Sequence, residues 1–476
     1  MAESFPVVNQ IMERASEAAA IFSQYDQEQV DKIVRAVYLV GFDNRIKLAK
    51  MAAKETGLGK WEDKVMKNVL ATQFVYEDVK NLKTAGIINE DIQNGITEIA
   101  QPLGPILAVI PVTNPTSTTL FKILIALKTR NPIIISAHHK ALECCRETVR
   151  ICYEAALKAD APEDCIIFFD RGSREETHAL MSDKRLSLIL ATGGESVVKA
   201  AYSSGTPAIG VGPGNVPVFI EKSADIKFAA EQIFMSKTFD NGTVCASEQS
   251  IIVEKETSAK FEEEFKKVGA YFLNAEEIKK VEAIAYDKVK KVMNSDIIGQ
   301  PVKVIVQMAG IDVPKDTTLL VAKLTGIGSE YPLSFEILAP ILAYYIVDDF
   351  VLAVNRCIDL NYLGGLGHTA SIFSNNEEKI KEFSMLMNAG RILVNMPSSQ
   401  GAVGGMFDKL NTSFTLGCGS GGRNITTDNV SAKHLINIQR VCKRRMNERM
   451  EHFDGKLYFD ENIKSEQIEK IYNKNY

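Results

Sequence analysis

At 476 residues the chain exceeds the ~250–300 at which a single core stops growing, so two or three structural units are expected. Its 46% hydrophobic and 24% charged residues fit an ordinary water-soluble globular protein, and a net charge of −5 argues against a nucleic-acid footprint. Eight cysteines in so long a chain are too sparse for a disulfide framework and read as reduced thiols of a cytoplasmic protein.

The opening stretch, "MAESFPVVNQIMERASEAA", lacks the basic and then apolar order of a secretory leader, and no run reaches the ~18 apolar residues of a membrane helix. The first hundred residues read as helical. In "DQEQVDKIVRAV", Val30, Ile33, Val34 and Val37 recur at i, i+3, i+4 and i+7, with Asp26 and Gln29 placed as a capping box. From about residue 106 short apolar runs alternate with helical stretches: "ILAVI" (106–110), "IIIS" (133–136), "CIIFF" (165–169), "LSLILA" (186–191) and "PAIGV" (207–211). Continuous apolar runs suit strands buried on both faces, so the expectation is an α/β fold with a doubly wound parallel sheet whose ligands bind at the strands' carboxyl ends. A second α/β texture follows Cys245 and includes "ILAPILAYYIV" (337–347), "HTASIFS" (368–374) and "GRILVNMP" (390–397). The stretch after about 440 is polar and charged and is expected outside the core.

Five stretches are chemically suggestive. "VIPVTNPTSTTLFK" leaves a strand and enters a helix, with Asn114 stiffened between Pro111 and Pro115; its amide is either an oxyanion donor or a turn residue. "LATGGESVVKAAYSSG" places Gly193 and Gly194 where a backbone turn meets a helix N-terminus, which serves a phosphate or simply the turn. "FDNGTVCASEQSIIV" holds Cys245 in a small polar loop, as a packed thiol or a nucleophile; Cys418 in "TLGCGSGGRN" is its rival. "SAHHKALECC" pairs histidines and cysteines side by side, without the spacing that aims ligands at one metal, so no metal site is expected.

Taken in order, "TNPTST", "ATGG", "GVGPGN", "FDNGTVCASEQS", "GGLGHTA", "NMPSSQG" and "TLGCGS" resemble the CoA-acylating aldehyde dehydrogenases, closest to the aldehyde dehydrogenase half of bifunctional aldehyde–alcohol dehydrogenases. The resemblance covers about residues 10–445 and implies a Rossmann-like cofactor domain, an α/β catalytic domain and a small β oligomerisation element. The boundaries it implies are 1–240 for the NAD-binding domain, with an oligomerisation strand pair near 92–104, 241–425 for the catalytic domain, and 426–476 for an oligomerisation segment with a polar tail. It makes Cys245 the nucleophile, Asn114 the oxyanion donor and His368 the group that moves protons. Gly193 and Gly194 fall under the pyrophosphate, Glu336 at the nicotinamide ribose, and Thr113 and Ser136 with the cofactor.

The implied reaction is reversible: aldehyde, NAD and CoA give acyl-CoA and NADH, with acetaldehyde the first choice and succinic semialdehyde or sulfoacetaldehyde the alternatives. Hydrolytic relatives carry a glutamate in the segment matching "GVGPGNVP", which here contains no carboxylate, so a thiol rather than water is expected to resolve the thioester. A hydrolytic enzyme and a non-catalytic assembly subunit are the competing readings. The resemblance implies NAD, while His138, His139 and Lys140, standing where a carboxylate would exclude a 2′-phosphate, leave NADP open. Gly421 stands where the bifunctional proteins carry a tryptophan, so substrate detail is not carried over; Arg423 is the cation available to an anionic aldehyde. About 35 residues follow the pattern, so an alcohol-forming half is expected from another protein. A homodimer or homotetramer is expected, without nucleic acid or membrane, in the cytoplasm or a bacterial microcompartment.

Overall fold

The structure, a computed structural model, describes residues 5–170, 172–287, 292–447, 450 and 453–475. Helices occupy most of residues 6–79. Asp26 and Gln29 close both arms of a capping box on the helix Gln27–Asp43, whose Val30, Ile33, Val34 and Val37 are buried as their spacing requires. The helix Trp61–Val69 runs on through a π-type turn at Leu70–Phe74 into Val75–Val79. A hairpin follows, β1 (Gly86–Asp91) and β2 (Ile96–Pro102).

The first sheet comprises β3 (Ile106–Ile110), β4 (Ile133–Ala137), β5 (Ile166–Phe169), β6 (Leu188–Thr192) and β7 (Ala208–Val211). All its pairings are parallel, in the order β5-β4-β3-β6-β7. The chain winds outward from β3 through β4 and β5, then returns to the other side through β6 and β7. The reversal lies between β3 and β6, and a crevice opens beyond their carboxyl ends. Every residue of the helix Pro115–Lys128 is buried, because the helix lies between this sheet and the N-terminal helices.

The second sheet takes β8 (Val216–Ile220), β9 (Glu248–Glu254) and β10 (Ala270–Leu273). After a two-residue pair, β11 (Tyr286–Asp287) with β12 (Val292–Met293), come β13 (Leu319–Lys323), β14 (Ile341–Val347), β15 (Ala370–Phe373) and β16 (Ile392–Val394). Its order is β10-β13-β14-β9-β8-β15-β16, again all parallel. The chain therefore enters the second sheet at β8, ahead of the boundary expected at residue 240; "VPVFI" is buried at every position and pairs with β9 and β15.

The last strand, β17 (Ile436–Cys442), pairs antiparallel with β2 to make a three-stranded sheet β1-β2-β17. The hairpin sits a few residues ahead of the pair expected near 92–104, because its turn falls at Ile92, Gln93, Asn94 and Gly95, the last in the left-handed region (φ 69°). Among the described residues no helix is long and apolar enough to cross a membrane.

Candidate active site

The carboxyl ends of β3 and β6 carry two of the singled-out stretches. Thr192 ends β6, and Gly193 and Gly194 lead into the helix Glu195–Ser203, whose N-terminus has no side-chain cap. No atom lies within 4 Å of where a Cβ on Gly194 would stand, and the buried hydroxyl of Thr192 has no hydrogen-bond partner. Open backbone amides, absent side chains and an unsatisfied hydroxyl fit the pyrophosphate of a dinucleotide. Ser136 is the penultimate residue of β4, and His138 beyond it packs its ring 4.2 Å from that of His139. Burial and the neighbouring His139 and Lys140 push His138 down to about 4, so it is neutral at ordinary pH. Beneath the crevice, the buried Lys122 Nζ donates to the carbonyls of Val109 and Leu190, both at 2.8 Å, strapping β3 to β6. With no carboxylate beside it, burial holds this amine well below its ordinary pKa.

Asn114 is the N-cap of the helix Pro115–Lys128 but caps nothing with its side chain. Its Oδ1 instead accepts from Lys67 Nζ at 2.6 Å, and its Nδ2 donates to Thr113 Oγ1 at 3.1 Å. Lys67 Nζ also donates to Asp240 Oδ2 at 2.5 Å and to Thr243 Oγ1 at 3.1 Å. Lys64 Nζ reaches the same Asp240 oxygen at 2.9 Å and the carbonyl of Thr113 at 3.1 Å. Asp240, Lys64 and Lys67 are 0%, 2% and 3% exposed, so this is a buried ionic cluster.

The loop between the helix Ile226–Thr238 and β9 is bent by three consecutive left-handed residues, Asp240 (φ 49°), Asn241 (φ 52°) and Gly242 (φ 73°). Such a run persists only where its surroundings fix it. Asp240 N donates to Asp63 Oδ2 and Lys60 N to Asp240 Oδ1, both at 2.7 Å, while Asn241 Nδ2 donates to the Gly299 carbonyl at 2.8 Å. The loop then delivers Cys245, half-buried, just before β9. Burial, reinforced by the Glu336 carboxylate, pushes its thiol up to about 12, against the pull of Arg391 and Lys67. At rest it is a thiol. Cys418 is buried, its thiol directed at the Leu416 carbonyl 3.3 Å away and pushed up to about 11.

Two further groups close around Cys245. Glu336 Oε1 accepts from Gly214 N at 3.0 Å, and burial pushes this carboxyl up to about 7. The segment 210–217 has no carboxylate of its own, as the sequence says, yet Glu336 reaches it from the stretch before β14. Gly214 is packed so closely that a Cβ there would stand 2.5 Å from the Cys245 carbonyl and 3.1 Å from the His368 ring. His368 is fully buried; its Nδ1 meets Thr369 Oγ1 at 2.9 Å and its Nε2 has no partner. Burial, with Arg391 nearby, drives it down to about 3, so the imidazole expected to titrate near neutrality stays neutral. Arg391 holds the surroundings by donating to the carbonyls of His368 (3.0 Å) and Gly417 (2.6 Å) and to Asn429 Oδ1 (2.7 Å). Arg423 lies in the left-handed region (φ 58°) on the exposed turn beyond.

Thus Cys245, Asn114, Glu336 and His368 gather where the two sheets meet, with Thr113 beside Asn114, while Gly193, Gly194 and Ser136 line the carboxyl edge of the first sheet. Lys64, Lys67, Asp240 and Arg391 were not expected. The available signal was two lysines three apart in "WEDKVMKNV", a spacing that places both on one helix face.

The aldehyde dehydrogenase family model matches residues 5–277. An aldehyde–alcohol dehydrogenase of Clostridium acetobutylicum is 46% identical over 447 residues, which is 93% of this chain and 51% of that protein. A succinate-semialdehyde dehydrogenase (acetylating) of Clostridium kluyveri is 38% identical over 91% of this chain and 95% of its own length. The crystal structure of an acetylating aldehyde dehydrogenase from Geobacillus thermoglucosidasius superimposes with a TM-score of 0.90 at 46% identity, covering 92% of this chain and 97% of that one. The chain spans about half the length of the bifunctional relatives it matches.

Proposed function

The chain belongs to the aldehyde dehydrogenase family, with the α/β fold expected of it, and we propose that it oxidises a short-chain aldehyde, acetaldehyde first, to acyl-CoA with NAD through a thioester on Cys245. One observation carries this reading: a half-buried cysteine on a strained, fixed loop, joined through Lys67 to an asparagine whose amide carbonyl is already occupied. Cys245 gives up its proton and its sulfur adds to the aldehyde carbon. Asn114 Nδ2 and the Cys245 backbone N–H receive the negative charge that develops on oxygen. A bound dinucleotide would supply the hydride acceptor; Gly193, Gly194 and Thr192 would hold its pyrophosphate, Thr113 and Ser136 would flank it, and Glu336 would take its nicotinamide ribose. The thiolate of CoA then attacks the thioester carbon and releases Cys245, giving ping-pong kinetics.

His368 was expected to move protons, but with its ring held down to about 3 it is too weak a base to hold the thiol proton, which passes to solvent. Its ring does not titrate between pH 6 and 8, so an inflection in that range belongs to Glu336, at about 7. Segment 210–217 carries no carboxylate of its own, and the Glu336 oxygen that reaches it is engaged with Gly214 N, which supports CoA over water as the acyl acceptor. The sheet β1-β2-β17 is the oligomerisation surface of a homodimer or homotetramer. NAD is proposed over NADP; a catalytic efficiency more than about tenfold higher with NADP reverses that choice, since each tenfold is 1.4 kcal/mol of discrimination.

The test is NADH formation from aldehyde with and without CoA. CoA-dependent turnover supports acylation; free acid formed at full rate without CoA establishes hydrolysis; no turnover with either leaves a binding subunit. A panel in which acetaldehyde is poorer than succinic semialdehyde or sulfoacetaldehyde overturns the substrate choice.

A further inference from the structure

The amide of an oxyanion-site asparagine has two nearly isosteric ends, and only one of them donates. A free side chain would turn over and present the carbonyl to the substrate oxygen for part of the time. Here the carbonyl end is taken. An ammonium group has three donors and no acceptor, so Lys67 accepts nothing from Nδ2 and bonds only Oδ1. Its three donors are fully used, on Asn114 Oδ1, Asp240 Oδ2 and Thr243 Oγ1.

We propose that Lys67 is a positioning residue of the oxyanion site, fixing the Asn114 amide with its donor end available and lending positive charge to the sulfur and oxygen that become negative at Cys245. The inference rests on the acylating reading above. Thr243 stands two residues before Cys245, so the same ammonium group ties the asparagine of the first lobe to the loop of the second. The helix beneath it is anchored independently: Asn68 accepts from Thr116 Oγ1 at 2.9 Å and donates to the Arg45 carbonyl at 2.9 Å. The charged groups around Lys67 are Lys64 and Asp63 on its own helix and Asp240 on the loop before β9, with the Phe239 ring centroid 5.4 Å from Nζ. Within this cluster the Lys67 ammonium group bears directly on Cys245, where its charge opposes the rise that burial imposes on the thiol. Burial lowers Lys67 to about 8, with Asp240 opposing, so the charge is present at neutral pH and fades above it.

Removing Lys67 does not orphan Asp240, because Lys64 remains at 2.9 Å. Lys67→Met, Asn114→Ala and the double variant are therefore compared by NADH formation with acetaldehyde and CoA, each checked for folding by thermal unfolding. Lys67→Met is expected to lower kcat by roughly 10–10², with the KM for NAD moving less than about threefold, because an interaction made in the transition state is lost. The double variant is expected to lose less than the product of the two single losses, since the positioning part of the Lys67 role has nothing left to act on while the charge lent to Cys245 is still missing. In parallel, iodoacetamide modification of Cys245, read by mass spectrometry, slows in Lys67→Met, and this holds whether or not the protein turns over acetaldehyde. Multiplicative losses in the double variant, a kcat within about threefold of wild type in Lys67→Met, or unchanged Cys245 modification overturns the proposal. Absence of CoA-dependent turnover in the wild type would instead strike the functional reading and leave the thiol measurement to decide on Lys67.

Discussion

The turn after β6 and the loop before β9 both face the seam between the sheets, and they are built in opposite ways. The first is bare: Gly194 has an extended backbone, empty space where a side chain would go, and a neighbouring hydroxyl without a partner. The second is tied at Asp240 and Asn241 by Lys60, Asp63, Lys64 and Lys67 from one helix and its cap and by Gly299 from another segment. On the function proposed above, the bare turn admits and releases a dinucleotide and is kept clear of side chains, whereas the tied loop holds a nucleophile that meets a carbonyl at a fixed angle, and the holding requires backbone strain and buried charge.

Five substitutions sharpen or break that contrast. The largest effect is expected from Cys245→Ala, which should reduce aldehyde-dependent NADH formation by ~10³ or more, while Cys418→Ala keeps most of it. The reverse pattern would move the nucleophile to Cys418. Next comes Asp240→Ala, which leaves two buried lysines without a counter-ion and should cost ~3–5 kcal/mol in denaturant unfolding. A loss under about 1 kcal/mol, the range of exposed pairs, would mean that the cluster is hydrated in solution. Gly242→Ala should cost ~1–3 kcal/mol, because a Cβ at φ 73° would lie 2.8 Å from the Ala339 carbonyl. Gly194→Ala, at the bare turn, should leave stability within about 0.5 kcal/mol and show itself only as weaker NAD binding. Equal unfolding losses for the two glycines would erase the distinction between the regions.

A pH measurement probes the tied side further. Glu248, fully buried at the start of β9, accepts from Ser398 N at 2.8 Å through one oxygen, while the other has no partner, and burial pushes it up to about 7. Its folded state therefore holds a proton more tightly than the unfolded chain, whose glutamate titrates near ~4.3. That stabilisation is complete below the unfolded value and is lost as pH rises through about 7. Relative to Glu248→Gln, the wild-type melting temperature should fall between about pH 5 and 8; a constant difference would place the carboxylate in contact with water.

The first sheet was legible because strands covered on both faces leave uninterrupted apolar runs, and 106–110, 133–136 and 207–211 fall on or within a residue of β3, β4 and β7. The start of the second sheet was hidden, since "VPVFI" resembles the preceding runs and only its pairing with β9 and β15 assigns it elsewhere. The loop cysteine, the asparagine between prolines and the glycine turn were visible as unusual residues at strand ends. What joins them was not. Lys67 and Asp240 lie 173 residues apart, and a lysine on a polar-looking helix is read as solvent-facing until the fold buries it. The neutral state of His368 has the same origin: its burial depends on Gly214 and Arg391, which are distant in the chain.

The strand β17 has a consequence for how the molecule is made. It completes a sheet whose other two strands emerge early, and the Gln101–Gln439 contact joins residues 338 positions apart. At ~5–20 residues per second, a ribosome needs roughly 20–70 s to supply the missing strand. For that interval β2 presents an unpaired edge on the nascent chain, a template for any other extended segment nearby, including the same strand of a neighbouring nascent copy. Its polar composition, with Thr97, Glu98 and Gln101 among seven residues, lowers the risk of such mispairing until β17 arrives.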